Sequence, residues 1–142
     1  MITFVDTNVL VYAHDAGSPK QATARMALER LWTERSGSIS TQILQEFYAV
    51  ATKPHKLAMS HGDAREIVGL YSAWPIVLIE PTLIISASHL AEQRSLSIWD
   101  ALVVEAARVA GAKRLLTEDF EDGQQIEGIR VENPFRADTT QT

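Results

Sequence analysis

The chain has 142 residues, the size of one domain and enough to bury a single substantial core without covalent staples. It contains no cysteine, which excludes a disulfide framework and a zinc-thiolate site, so any metal must be held by oxygen or histidine. Eighteen acids against 13 Lys and Arg give a net charge of -5, which offers no broad nucleic-acid-binding surface but leaves a nucleic-acid enzyme open, because a carboxylate-lined metal site is itself negative until its cations bind.

The first element is the apolar run Ile2 to Val5, which breaks at Asp6-Thr7-Asn8 and resumes with Val9, Leu10 and Tyr12. That pattern predicts a buried strand passing into a helix. Ser18-Pro19 supplies an N-cap and a proline at the first helical position for a second helix with Ala24, Ala27, Leu28 and Leu31 on one face, which Gly37 is expected to end. Ser38 to Ser40 is a very short strand. Ile43, Phe47, Val50 and Ala51 mark a helix that must stop before Pro54, and a further helix starts at Ser60 with Asp63 completing a capping box. Ile76 to Ile79 is a strand closed by Glu80-Pro81, followed by a helix with Leu83, Ala87, Leu90 and Ala91 on its apolar face. Another helix begins near Ser97, Arg114 to Thr117 is a short strand, the acidic loop EDFEDG follows, and Ile126 to Val131 is a last edge strand. Strands alternating with helices predict an α/β fold with a parallel sheet.

No repeat, low-complexity segment or linker interrupts residues 1 to 133, so one domain over 1–135 with a loose tail over 136–142 is expected. The opening residues lack the length and basic start of a secretory signal, and no later run is long enough to span a membrane. A soluble cytoplasmic protein is expected.

Acids occur at four separate places with a possible chemical role. Asp6 closes a strand at the edge where parallel sheets bind ligands, and it is equally a good N-cap for the helix that follows. Asp100 lies in the first turn of SIWDALVVEAARVAG, a helix apolar on nearly every side, where Ser97-x-x-Asp100 also fits a capping box. Glu46, in ILQEFYAV, is either a carboxylate on a mostly apolar helix or part of an exposed stripe with Gln42 and Gln45. In LLTEDFED a second strand runs straight into acids, with Asp119 and Asp122 as candidates and Glu118 and Glu121 as solvated neighbours. VDTN and LLTED share one pattern, an apolar strand ending in a carboxylate beside a hydroxyl, which in a parallel sheet brings both acids to the same edge. Converging carboxylates suit hard cations such as Mg²⁺ and Mn²⁺, and such ions support in-line attack of water on a phosphodiester with no nucleophilic side chain.

The ordered set VDTNVLVYAHD, QEFYAV, IWDALVVEAA, LLTEDF and ENPF resembles the PIN-domain ribonucleases, in particular the VapC-type toxins of bacterial toxin-antitoxin pairs. The resemblance runs from residue 1 to about 135. It implies a PIN-like fold with a central parallel β-sheet flanked by helices on both faces. It implies that Asp6, Glu46, Asp100 and Asp119 are the acidic positions around Mg²⁺ or Mn²⁺, that Asp122 stands where some members carry an additional acid, and that Thr7, Asn8 and Thr117 support them. The activity implied is metal-dependent endonucleolytic cleavage of RNA leaving a 5′-phosphate. Homodimers are implied too, with a small antitoxin partner that inserts an arginine into the acidic site. A guanidinium pairs bidentately with carboxylates, so it can compete for the ligands that a metal needs. Phosphate contacts are to be sought among Lys20, Arg25, Lys53, Lys56 and Arg94. His14, His55, His61 and His89 have no ligand spacing, and Trp99 reads as a packing residue rather than a base-stacking platform.

Two other readings compete. A haloacid-dehalogenase-like phosphatase also begins with a strand ending in Asp, as DxDx(T/V), but here Asn8 occupies the third position. A catalytically silent PIN-like domain acting as a binding module would carry the same pattern.

Overall fold

Residues 1–136 are described by the computed structural model; the expected tail, past Arg136, lies outside the described residues. The elements are β1 (Ile2–Val5), α1 (Thr7–Ala13), α2 (Gln21–Glu34), β2 (Gly37–Ser40), α3 (Thr41–Ala51), α4 (His61–Tyr71), β3 (Ile76–Val77), α5 (Pro81–Arg94), α6 (Ile98–Val109), β4 (Ala112–Leu116), β5 (Gln125–Ile126) and β6 (Ile129–Glu132). The strands form one sheet in the order β3-β2-β1-β4-β6-β5. Every neighbouring pair is parallel except β5 with β6.

The strand order shows how the chain winds. It steps from β1 outward through β2 to β3, then reverses past β1 to β4 and continues to β6. With right-handed crossovers, α1 to α4 cover one face and α5 with α6 the other. The packing follows that division, with α1 against α2 and α3, α3 against α4, and α5 against α6. Covered on both faces, β2 is buried at all four residues, and Phe4 and Val5 of β1 are fully buried beside Ile39 and Leu115. The reversal puts the topological switch point between β1 and β4, where an open α/β sheet leaves a crevice beyond its strand ends.

Local chemistry departs from the expected boundaries in four places. Ser18 does not cap α2: its hydroxyl accepts the Lys20 amide at 3.1 Å within a preceding turn, and the helix starts at Gln21. Helix α2 ends not at Gly37 but at Arg35, which takes the left-handed conformation at φ 54°. The strand from residue 76 stops at Val77 because the Ile79 amide leaves the ladder and donates to the Thr41 hydroxyl at 3.2 Å. The segment 126–131 is a hairpin rather than one edge strand. Glu127 and Gly128 turn it with φ of 50° and 78°, the pair of positive values that matches the twist of two antiparallel strands. The sheet edge on this side is therefore the two-residue β5, while β6 is paired on both sides.

Among the described residues, no helix is long and apolar enough to cross a membrane.

Gly37 begins β2 where the Trp74 ring lies flat against it. A Cβ there would sit 2.8 Å from ring carbons of Trp74, itself buried in an aromatic group with Trp32 and Tyr71 at ring separations of 4.9 and 5.5 Å. The ring cannot swing aside without disturbing that group. Gly37→Ala should lower stability by about 1–3 kcal/mol, the usual cost of overpacking, seen as a lower urea midpoint with an unchanged slope. Pairing it with Trp74→Phe should recover part of the loss, and a Gly37→Ala protein as stable as the parent would show that the ring is free to move.

Candidate active site

Asp6 and Thr117 leave the sheet side by side. Val5 and Leu116 are register partners in β1 and β4, the Asp6 amide extends the ladder to the Leu116 carbonyl at 3.0 Å, and the Thr117 amide reaches the Glu132 carbonyl at 3.0 Å. Asp6 is the N-cap of α1: one carboxylate oxygen accepts the Thr7 amide at 2.8 Å, and the other accepts the Thr117 hydroxyl at 2.8 Å. Thr117 Oγ1 in turn accepts the Asp119 amide at 3.0 Å, so one hydroxyl ties the buried acid of the first strand to the acidic loop after the fourth. Asn8 closes the same link from α1. Its amide nitrogen donates to Asp119 Oδ2 at 3.2 Å, and its oxygen accepts the Glu118 amide at 3.3 Å.

Two helices bring the other acids. Ser40 caps α3, which carries Glu46 inward, where its Oε1 accepts the Thr7 hydroxyl at 2.9 Å. Of the polar stripe that Gln42, Gln45 and Glu46 could have formed, only Gln45 is exposed; Gln42 is buried and donates to the Trp99 carbonyl at 3.3 Å. At the start of α6 the Ser97 hydroxyl accepts the Asp100 amide at 3.1 Å, so capping uses the Asp100 backbone and leaves its carboxylate to the cleft. Asp6, Glu46, Asp100 and Asp119 all line one cleft of about 580 Å³.

The structure does not bring Asp122 there. Its Oδ1 accepts the Asn133 amide at 2.8 Å and its Oδ2 lies 3.7 Å from Arg136 Nε, on the wall of a separate pocket with Arg114 and Arg130. Glu118, which the sequence offered only as solvated charge, accepts the Tyr12 hydroxyl at 2.8 Å and pairs with Lys20 at 2.9 Å, fastening the acidic loop to α1. Tyr12 had no sequence signal beyond its helical spacing. Among the proposed phosphate contacts, Lys20 is thus engaged, Arg25 donates to the Ala13 carbonyl at 2.9 Å and Arg94 pairs with Glu127 at 3.1 Å. Lys53 and Lys56 line the cleft. Trp99 is not a packing residue: it is 63% exposed on the cleft wall.

Like charges shape the electrostatics. Burial pushes the Asp6 carboxyl from its ordinary 3.8 up to about 7; the Thr117 and Thr7 hydrogen bonds oppose that rise, and the charges of Asp119 and Glu46 add to it. Asp119 is also raised, first by partial burial and then by Asp100. Every donor that these residues offer is a hard oxygen, the set that Mg²⁺ or Mn²⁺ prefers, and no histidine lines the cleft among the described residues. No three acids or histidines among the described residues stand close enough to enclose an ion. A cation here would keep several waters, as Mg²⁺ ordinarily does. The donor set fits such an ion.

A stability test follows from the Asp6 shift. Between about pH 3.8 and pH 7 the metal-free folded state holds a proton on Asp6 that the unfolded chain has released, so folding gains stability as pH falls through that window and loses it as pH rises. Asp6→Asn has no such proton to lose. In EDTA, the melting temperature of Asp6→Asn minus that of the parent should therefore grow from pH 5 to pH 8 and be positive at pH 8. A difference that is flat or shrinks with pH would mean that Asp6 is an ordinary solvated cap.

A family model for the PIN domain matches residues 3–122. No curated protein sequence matches the chain. Among solved structures, it is similar to a toxin-antitoxin complex from Klebsiella pneumoniae, with TM-score 0.69 and 23% identity over 93% of this chain and 97% of that one. It is similar also to a DNA-bound VapBC from Salmonella typhimurium, with TM-score 0.67 and 20% identity over 94% and 98%. The VapC20 toxin of Mycobacterium tuberculosis, described as cleaving the sarcin-ricin loop, aligns with TM-score 0.62 and 21% identity over 80% and 86%. Because the family match covers residues 3–122, taking in most of β1, all six helices and β4, the chain belongs to the PIN domain family.

Proposed function

We propose that the protein is an endoribonuclease dependent on Mg²⁺ or Mn²⁺ and the toxin of a toxin-antitoxin pair. The observation that supports this reading most is the meeting of four carboxylates from four separate chain segments, the ends of β1 and β4 and the helices α3 and α6, in one cleft at the switch point. Asp6, Glu46, Asp100 and Asp119 would hold the cation in part through the waters it keeps. When bound, it supplies Lewis acidity and an activated water for phosphodiester hydrolysis.

The remaining residues orient these donors. Thr117 fixes Asp6 and the Asp119 backbone together, Thr7 holds Glu46 in one rotamer, and Asn8 aims the Asp119 carboxylate. Such partners set the direction of metal-binding oxygens and typically account for 10- to 100-fold in affinity or activity. The repulsion of Asp6 by Asp119 and Glu46, and of Asp119 by Asp100, is also what a divalent cation would cancel, which favours binding over an empty cluster. Asn8 at the third position donates its amide to the acids and offers no carboxyl as a general acid, which counts against the phosphatase alternative.

The partner in this reading is a small antitoxin whose arginine enters the acidic cleft, and the working unit is a homodimer. The solved toxin-antitoxin complexes of the same fold support an antitoxin partner. Arginine suits the site physically because its planar fork pairs with carboxylates that a cation would otherwise occupy.

The test is cleavage of RNA by purified protein freed of co-purifying partner, with Mg²⁺ or Mn²⁺ and with EDTA. Asp6→Asn and Asp100→Asn should each lower the rate by more than about 100-fold, beyond the usual cost of a supporting hydrogen bond, while Thr117→Val should fall within that 10- to 100-fold range. Asp122→Asn should cleave like the parent. The products should carry 5′-phosphate and 3′-hydroxyl ends, since water attacks without the ribose 2′-hydroxyl. Cleavage that survives EDTA, or a 2′,3′-cyclic phosphate product, would overturn the proposal.

A further inference from the structure

Trp99 stands apart from the other tryptophans. Trp74 is buried and Trp32 stacks near it, whereas Trp99 leaves 63% of its surface in water on the wall of the acidic cleft. An exposed indole in the first turn of a helix is not a result of loose structure here. Its carbonyl accepts the amide of the buried Gln42, and Ser97 caps the turn that carries it. The backbone is thus fixed before any ligand arrives, which limits the ordering cost of binding.

The same cleft carries two basic groups without an ion-pair partner. Lys53 and Lys56 lie on one turn after α3, joined by a hydrogen bond from the Lys56 amide to the Lys53 carbonyl at 3.0 Å, and both are exposed. Neither meets an acid among the described residues, although Lys20, Arg94, Arg108 and Arg114 are each paired with a glutamate. What sets these two lysines apart is their place: both are exposed on the wall of the cleft that holds the carboxylates, where their charge can meet an anion bound beside the acids.

We propose that Trp99, Lys53 and Lys56 form a subsite next to the acidic cluster in which Trp99 stacks one base and the two lysines hold the phosphates beside it. This rests on the nuclease reading. The indole gives a base a flat apolar face, and the lysines neutralise the phosphates that flank it. A base within a duplex already has neighbours on both faces, so Trp99 can stack only a base with one face free. Because Trp99 directly precedes Asp100, the stacked base belongs to a nucleotide close to the phosphate that is cut. An arginine-bearing protein segment would suit the carboxylates but would be repelled by the two lysines, which favours nucleic acid as the occupant of this wall.

The experiment uses the full chain and three labelled probes: a dodecamer of oligouridine, the same dodecamer with one abasic site beside the cleaved linkage, and a fully paired RNA hairpin. Binding is read by anisotropy with Ca²⁺ replacing Mg²⁺, and cleavage kinetics are read with Mg²⁺. Trp99→Ala and Trp99→Gln should weaken dodecamer binding and raise KM by at least about tenfold, with kcat within about threefold, and Trp99→Phe should restore most of the loss. The abasic site should cost the parent a similar factor and cost Trp99→Ala nothing further, because the same stacking contact is already gone. Combined Lys53→Ala and Lys56→Ala should weaken binding and flatten its salt dependence. If the parent binds the dodecamer through Trp99 yet cuts nothing, the subsite stands and the nuclease reading falls. If the parent cuts RNA, Asp6→Asn does not, and both Trp99→Ala and Trp99→Gln bind and cut like the parent, the nuclease reading stands and the subsite is overturned. Equal losses on dodecamer and hairpin, or a Trp99 effect confined to binding an arginine-rich peptide, would overturn it as well.

Discussion

The hydrogen bond from the Thr117 hydroxyl to Asp6 is the point on which the site depends. It exists only because β1 and β4 are parallel neighbours with Val5 opposite Leu116, so the residues that follow them emerge together. Any order that placed another strand between them would set the two acidic segments at least two strand spacings apart, roughly 10 Å at about 5 Å per spacing. The sheet reversal that makes β1 and β4 adjacent also leaves a crevice above them open to ligand, since α1 follows β1 whereas the chain leaves β4 as a loop with no helix to cover the strand ends. Fold and site are consequences of one winding decision.

That arrangement is electrostatically costly. Five carboxylates, Asp15 among them, share a cleft, Asp6 is almost wholly removed from water, and the protein holds Asp6, Glu46 and Asp119 with hydroxyls and amides rather than cations. Hydrogen bonds from Thr117, Thr7 and Asn8 favour the charged forms but do not offset burial, and Asp6 keeps a proton far above the usual range. The nearby lysines stay on the wall, and Lys20 is committed to Glu118. An apolar core below, built around Phe4, Phe47 and Ile43, supplies the stability that the cluster spends. Strain of this kind is typical where function outranks local stability.

Single side chains often serve both structure and chemistry here. Asp6 caps α1 and faces the cleft; Asp100 contributes its backbone to a cap and its carboxylate to the cleft. The capping and site readings of these residues are therefore compatible, because a helix N-terminus needs one acceptor and a carboxylate has two oxygens to give. Glu118 shows the converse. Sitting next to a cleft acid in a run of charges, it serves to hold the loop through Tyr12 and Lys20.

By itself the sequence determined the order and type of the main elements, because apolar periodicity reports which face of a segment is buried, and strands ending abruptly in acids reveal their polar edge. It narrowed the acids to a short group on the same grounds. Only the tertiary structure put Asp119 in the cleft and Asp122 outside it, because the two differ not in local pattern but in what Asn8 and Asn133 offer them from distant segments. It likewise decided that Glu46 faces inward, where Thr7 meets it, and that Trp99 stays in water. Gly37 reads as a helix stop until Trp74, 37 residues later, is found lying against it. In each case a residue's neighbours across the chain fix its role. Periodicity carries no information about them, since it is a property of one segment and contact is a property of two.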